Sequence, residues 1–339
     1  MKPTDYSYHL TNYLGKYLPG TLGLSPNTIS SYRDMFTLMI TFYETAIAVK
    51  PEKITLKDFT QHRMENFLEW LEQDRGNSIS TRNVRLAAIH AYAKYLLRVL
   101  PDFMHEMLKI QSIPFKKCHR RTPEYICIEA MTLLLSLPDI RTKKGRRDAT
   151  LLSLMYDSGC RVQELCDLIV SDIRLQKPAT VKVTGKGNKT RIIPIMDSMV
   201  KLLKQYMKEF GLKFPDKSWS PLFLNRSEKK LTRKGVTYIF QKYFTKAREA
   251  EPGLFPDKMS PHCCRHSKSM HLLQSGIELI YIRDLLGHVD VKTTEIYARI
   301  DSEMKRKALE KGMNIIPADK EPIWQTNKDL LTWLNSLGR

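Results

Sequence analysis

Apolar positions in the first hundred residues recur at steps of three and four. Ile29, Tyr32, Phe36, Ile40 and Tyr43 follow Ser25-Pro26, which predicts one apolar helix face with a serine N-cap and a proline in the first turn. Met64, Phe67, Leu68 and Leu71 carry the same period within Leu56–Trp70. A third helix is predicted after Ser80, burying Val84, Ala88, Ala91 and Tyr95 and leaving Arg82, Arg85 and Lys94 outside. Residues 1–112 therefore read as a small helical bundle. From Ile113 to Pro123 the period stops; two prolines and four basic residues predict an extended basic linker over 113–123.

Helical spacing returns at Ile128–Ser136, Asp148–Asp157, Arg161–Leu168, Met199–Phe210, Thr232–Glu249, Arg265–Gln274, Leu279–Leu286 and Val291–Arg299. Between them a period of two appears, with Val181 and Val183 on one side of Gly185-Lys186-Gly187-Asn188-Lys189 and Ile193 and Ile195 on the other. That is a β-hairpin with a basic tip. The expected fold class is mainly α with a small antiparallel β-sheet. The expected domains are 1–112 and 124–314, followed by a tail over 315–339. In the tail a further helix is predicted over Asp301–Lys311, then a proline-containing stretch, then Leu330, Trp333, Leu334 and Leu337 at helical spacing.

Composition narrows the class. The 339 residues are 42% apolar, enough for ordinary cores. No apolar run approaches the ~18–20 residues of a membrane span, and Met1–Tyr8 carries no secretory signal. Six cysteines form neither a C-x-x-C pair nor a zinc-ligand spacing, so reduced thiols in a cytoplasmic setting are expected. Of the net charge of +19, residues 1–112 carry +2 and residues 113–339 carry +17. A domain-sized excess of that kind points to a polyanionic partner, most often nucleic acid. Arg82 and Arg85, near a helix start, are candidates for phosphate contact, with an ordinary solvated face as the alternative.

Candidate chemistry lies in an ordered series. It runs through Ser158-Gly159-Cys160-Arg161-Val162-Gln163-Glu164-Leu165, the Lys186 turn, Pro261-His262-Cys263-Cys264-Arg265-His266, Leu286-Gly287-His288 and Thr293-Thr294-Glu295-Ile296-Tyr297. A phosphodiester attacked by a nucleophile needs its non-bridging oxygens neutralised, and arginine forks suit that task. Arg161 and Arg265 are the candidates; capping a helix or pairing with Glu164 is the alternative use of either.

This series resembles the tyrosine recombinases, the phage-integrase family, with Xer-like and transposon-integrase-like members, and the resemblance covers almost the whole chain. It implies a helical core-binding domain followed by a catalytic domain. It implies Tyr297 as nucleophile, His262 as the group exchanging its proton, Arg161, Arg265 and His288 on the scissile phosphate, and Lys186 as general acid, with Lys189 as its rival and a further DNA contact. The implied reaction is DNA strand transesterification through a 3′-phosphotyrosyl link and a Holliday junction, without metal, ATP or other cofactor. Implied partners are duplex recombination sites and a homotetramer on two duplexes, with no membrane and no small-molecule substrate. The tail would dock on a neighbouring subunit, as in related recombinases, or on its own domain. Integration or excision of a mobile element is the expected role. A type IB topoisomerase-like relaxing enzyme and a non-catalytic DNA-binding relative are the alternatives. The second box departs from the family's His-x-Leu-Arg-His-Thr: Cys264 replaces leucine, Ser267 keeps a hydroxyl, and Lys268 follows, facing either DNA or solvent.

Overall fold

The computed structural model describes residues 3–118, 123–213, 215–287, 294–295 and 330–337. The chain divides into two compact units, Met1–Arg120 and Arg121–Arg339. The expected helices over Val291–Arg299 and Asp301–Lys311 fall on residues outside those described, apart from Thr294 and Glu295.

In the first unit, α1 (Asp5–Asn12) runs into a π-helical segment (Tyr13–Thr21), followed by α2 (Pro26–Ala46), α3 (Gln61–Gln73), α4 (Ile79–Val99) and α5 (Met104–Gln111). Thr4, Ser25, Thr60 and Ser78 each stand at an N-cap, where the side-chain oxygen accepts from the amide three residues on. The core is aromatic. The Tyr92 ring has Tyr13 and Phe36 at 5.0 Å and Phe59 at 5.3 Å. These are edge-on distances typical of favourable ring pairs.

Two expectations are corrected here. Leu56 opens a separate 3₁₀ turn, Leu56–Asp58, in which the Asp58 carboxylate accepts from the Thr55 amide at 2.8 Å. Asp58 and Thr60 are better satisfied as caps than within a helix, so α3 starts only at Gln61. Helix α4 is also turned relative to the expected face. Ala88 and Tyr95 are buried as expected, but Val84 is 54% exposed, and Leu86, Ile89, Tyr92, Ala93 and Leu96 make up the rest of the buried face.

Arg82 is accordingly 6% exposed rather than outside. Its Nη1 donates to the Pro114 carbonyl at 3.1 Å and its Nε lies 3.5 Å from the Glu72 carboxylate. Arg85 is half-buried and donates to the Ser31 carbonyl at 3.1 Å. The start of the expected linker is likewise fastened to this unit. Ile113 is buried, Asn83 exchanges two hydrogen bonds with the Lys116 backbone, and the Lys116 ammonium lies 2.7 Å from Glu72.

The second unit contains α6 (Ile128–Ser136), α7 (Lys143–Ser158), α8 (Val162–Asp167), β1 (Ile173–Arg174), β2 (Thr180–Thr184), β3 (Thr190–Pro194), α9 (Asp197–Glu209), α10 (Arg233–Ala250), α11 (His262–Gln274) and α12 (Leu279–Leu286). The sheet is antiparallel in the order β1-β2-β3 and pairs Val181 with Ile193 and Val183 with Arg191. The mainly α class with a small antiparallel sheet is as expected. Among the described residues of this unit the short β1 is additional, and two residues carry too little alternation to register. Val181, Val183 and Ile193 pack into a core with Leu151, Met155, Leu203, Phe223 and Phe240.

Within that core Asp148 is fully buried. It is compensated by Arg147 at 2.7 Å and by the Tyr243 hydroxyl, which donates at 2.9 Å. Leu330–Ser336 forms a short terminal helix in which Leu334 is 50% exposed; Leu337 just beyond it is also exposed. No helix among the described residues is long and apolar enough to cross a membrane.

The buried position of Arg82 gives a stability prediction. Arg82→Ala strands the Pro114 carbonyl and leaves Glu72 with Lys116 alone, and should cost about 1–3 kcal/mol in urea unfolding of the full chain. Lys94→Ala, on the exposed side of α4, should stay within about 0.5 kcal/mol. Equal effects of the two would contradict the assignment.

Candidate active site

The second unit gathers a cluster of charged residues where four helices end or begin. Helix α7 stops at Gly159, whose φ of 55° is readily adopted by glycine. Cys160 is buried, and Arg161 follows as the residue preceding α8. The Arg161 amide donates to Glu164 Oε2 at 2.8 Å and its Nη1 to Glu164 Oε1 at 2.7 Å. A glutamate three residues into a helix that reaches back to the capping amide satisfies an otherwise orphaned donor. The pairing of Arg161 with Glu164 is thus present, the cap being made by the Glu164 carboxylate and not by the arginine side chain, which keeps 39% exposure.

Glu164 is 4% exposed in its side chain and also accepts two bonds from Arg191. Burial alone would raise its carboxyl pKa. The Arg191 guanidinium and the Arg161 amide outweigh burial and hold the carboxyl at about 2.

Arg265 lies on the first turn of α11, three residues after His262, so both project from neighbouring positions on one helix face. Its guanidinium is buried. Nη1 donates to the Gly159 carbonyl at 2.9 Å and Nη2 to the Leu286 carbonyl at 2.7 Å. Both oxygens belong to helix C-termini, which lack intrahelical partners. Arg265 therefore joins the ends of α7 and α12, and α12 closes with Gly287 in the left-handed region.

His262 keeps an exposed face. The protein packed on its other side, with Arg265 and Arg161 nearby, lowers its pKa below the usual histidine value. His266 stands edge-on to it at 4.6 Å; burial, His262 and Arg265 hold its pKa at about 4.

The hairpin tip closes against this cluster. Gly185 donates to the Lys189 carbonyl at 2.8 Å. A Cβ on Gly185 would lie 2.8 Å from Glu164 Oε1 and 3.7 Å from Arg161 Nη1, so the close approach requires glycine. Lys186 is the next residue and begins a short turn, Lys186–Asn188; Lys189 is exposed. Arg161, His262 and Arg265 are thus brought together with the root of the Lys186 hairpin. His288 and Tyr297 lie outside the described residues, although the described chain reaches Gly287, and Thr294, three residues before Tyr297, is fully buried.

Two residues differ from the sequence reading or escaped it. Lys268 turns inward, with its ammonium 3.4 Å from Asp157 and 5.0 Å from the Tyr156 ring centre. Arg191 belongs to no motif; its signal was parity, since it shares a strand face with the core residue Ile193. Cys264 is buried, as the leucine it replaces would be; Ser267 is buried too, and its hydroxyl accepts from the Ile126 amide at 3.0 Å. A cleft of about 780 Å³ along α10, lined by Gln241, Phe244, Arg248, Asp257 and Cys263, shares none of the cluster's residues.

Comparison with known proteins agrees with this arrangement. Residues 129–304 match the model of the phage integrase family, and residues 11–99 match the phage integrase N-terminal SAM-like domain. The putative integrase/recombinase y4rC of Sinorhizobium fredii is 32% identical over 314 residues, 92% of each chain. The tyrosine recombinase XerD of Staphylococcus saprophyticus is 31% identical over 294 residues, covering 86% of this chain and 94% of that one. The fold is that of the XerH site-specific recombinase bound to its difH substrate, with a TM-score of 0.64 and 22% identity over 85% of this chain and 79% of that one. The two-unit helical architecture, the family matches and the long alignments lead to one conclusion: the chain belongs to the phage integrase family and is a tyrosine recombinase.

Proposed function

We propose that the protein exchanges strands between specific sites in duplex DNA by transesterification. The observation that supports this most is the convergence of Arg161 and Arg265 on His262, with the Gly185–Lys189 hairpin against Arg161 and its partner Glu164. Arg161 and Arg191 share that one carboxylate and Arg265 is held beside them by main-chain carbonyls, so the cluster keeps a positive excess suited to a phosphodiester.

In the proposed reaction the Tyr297 phenolic oxygen attacks the scissile phosphorus. The bond to the 5′-oxygen breaks, a 3′-phosphotyrosyl link forms, and a 5′-hydroxyl leaves. A 5′-hydroxyl of the partner duplex then attacks the same phosphorus and returns the phenol. One pair of such exchanges yields a Holliday junction, and a second pair resolves it. Bonds made and broken are equal in number and kind, so the cycle balances without an external energy source.

Arg161 and Arg265 take the non-bridging oxygens, and each such donor is worth ~10²–10³-fold when aimed at developing charge. His262, kept neutral by its lowered pKa, accepts the phenol proton. Lys186 protonates the leaving 5′-oxygen, and His288 donates a hydrogen bond to the phosphate. Arg85 and Lys189 are proposed as contacts to the DNA backbone. Arg82, held by Glu72 and Pro114, would act on DNA only through the segment it fastens.

Four protomers on two duplexes form the proposed assembly, residues 124–314 being the catalytic domain. The exposed Leu334 and Leu337 support docking of the terminal segment on a neighbour. Integration or excision of a mobile element is the proposed role, supported by the likeness to a putative integrase/recombinase over most of both chains.

A duplex nicked beside the cleavage position traps the covalent step. In the presence of chelator the wild type should accumulate a 3′-linked protein–DNA adduct that Tyr297→Phe does not form. No adduct with the wild type, or an equal amount with the variant, would contradict the reaction. Adduct formation without exchange between paired sites would move the reading to a DNA-relaxing enzyme.

The pH dependence follows from the sign of the His262 shift. A base with a lowered pKa stays neutral to lower pH, so the acid limb of single-turnover cleavage should lie below pH 6.5. Across about pH 5–8, His262→Gln should lose ~10²–10⁴-fold and lose that limb with it. An acid limb unchanged in the variant would remove His262 from the proton transfer.

A further inference from the structure

Arg191 enters none of the chemical steps above, yet it occupies the centre of the cluster. On β3 it stands opposite the buried Val183, on the face that carries Ile193 into the core. A guanidinium facing inward is unfavourable unless its donors are matched. Here they are. Nε donates to the Leu285 carbonyl at 2.9 Å, and Nη1 and Nη2 donate to the two Glu164 oxygens at 3.2 and 2.7 Å. The side chain is 12% exposed, and a Cβ on Gly287 would lie 3.0 Å from both its Cδ and its Nη1.

One side chain thus binds three segments. The first is the hairpin strand that leads back to Lys186. The second is Glu164, which holds Arg161. The third is the C-terminus of α12, which Arg265 grips through the adjacent carbonyl of Leu286 and which leads to His288.

We propose that Arg191 is a positioning residue for strand cleavage, setting the hairpin, Arg161 and the end of α12 in a single geometry so that their groups reach one phosphate together. This rests on the transesterification reading given above. A lysine carries the same charge but presents one compact ammonium instead of a planar fork, so it cannot reproduce the paired bonds to Glu164 together with the bond to Leu285. Displacement of a reacting group by about 1 Å is enough to cost ~10²-fold in rate, which sets the expected effect.

The test uses the full chain with Arg191→Met, Arg191→Lys, Glu164→Gln and the Arg191→Met/Glu164→Gln double variant. Three quantities are measured: single-turnover cleavage of the nicked duplex, duplex affinity, and amide hydrogen exchange at Gly185 and Gly287. Arg191→Met should slow cleavage ~10²-fold while changing affinity by less than about threefold. Arg191→Lys should recover less than about a tenth of the wild-type rate. The double variant should lose less than the product of the two single losses, because the Arg191–Glu164 contact is removed in both single variants. Exchange at Gly185 and Gly287 should rise together in Arg191→Met, since both segments lose the same anchor.

Cleavage by either Arg191 variant within about threefold of the wild type would overturn the proposal, as would losses that multiply in the double variant. Absence of any adduct with the wild type would instead defeat the transesterification reading. Exchange would then still decide the matter, and unchanged rates at the two glycine amides would overturn the role given to Arg191. If Arg191→Met fails to fold, the lysine variant, which keeps the charge, carries the same rate and exchange comparisons.

Discussion

The Arg265 guanidinium donates to two carbonyl oxygens that the helix geometry leaves without partners, those of Gly159 and Leu286. The rest of the second unit's charged cluster depends on that pair of bonds. Gly159 precedes Arg161 by two residues, and Leu286 precedes His288 by two, so a single buried side chain sets the starting points of two candidate phosphate-binding segments. Burying a guanidinium is costly in isolation; matching it with main-chain oxygens at helix ends satisfies both sides at once. His262, one helical turn before Arg265, is carried into the same place by the same helix.

Glu164 supplies the opposing charge. Its carboxylate is nearly inaccessible to water, accepts from Arg161 and Arg191, and stays ionised far below its ordinary range. Folding linkage follows from the sign. The stabilisation from this depressed carboxyl is fully present above its unfolded value of 4.5 and is lost as the pH falls toward about 2. Near neutrality the carboxylate is therefore a fixed anion, and it orients Arg161 without cancelling the surplus of guanidinium charge. The first unit solves a different problem with the same means. There Arg82 and Asn83 fasten the chain leaving α5, through Pro114 and Lys116, at the start of the stretch whose sequence predicts an extended linker.

Local rules carried much of the sequence reading. Ser25-Pro26 marks a helix start because cap and ring chemistry act within one turn, and Val181, Val183 and Ile193 mark the hairpin because alternation is a nearest-neighbour property. The pairing of His262 with Arg265 was legible as a motif and is realised as adjacent positions on α11. What escaped depends on distant partners. Arg82 is buried because Glu72 and Pro114 await it, and no periodicity within α4 records either. The first turn of α7, Lys143 to Arg147, is polar, so apolar spacing marks the helix only from Asp148, five residues late. Lys268 was read as facing DNA or solvent, since Asp157 lies on another helix. Arg191 left one trace, an arginine at an inward strand position, which becomes meaningful only once Glu164 and Leu285 are known to face it.

In the proposed reaction the clustered arginines act by neutralising the oxygens of one phosphate. Replacing the scissile phosphate by an uncharged methylphosphonate tests it most directly, because the substrate then lacks the charge that the arginines are held to meet. Arg161→Ala should be ~10²–10³-fold slower than the wild type on the ordinary phosphate and close to it on the methylphosphonate. An equal deficit on both substrates would contradict the account.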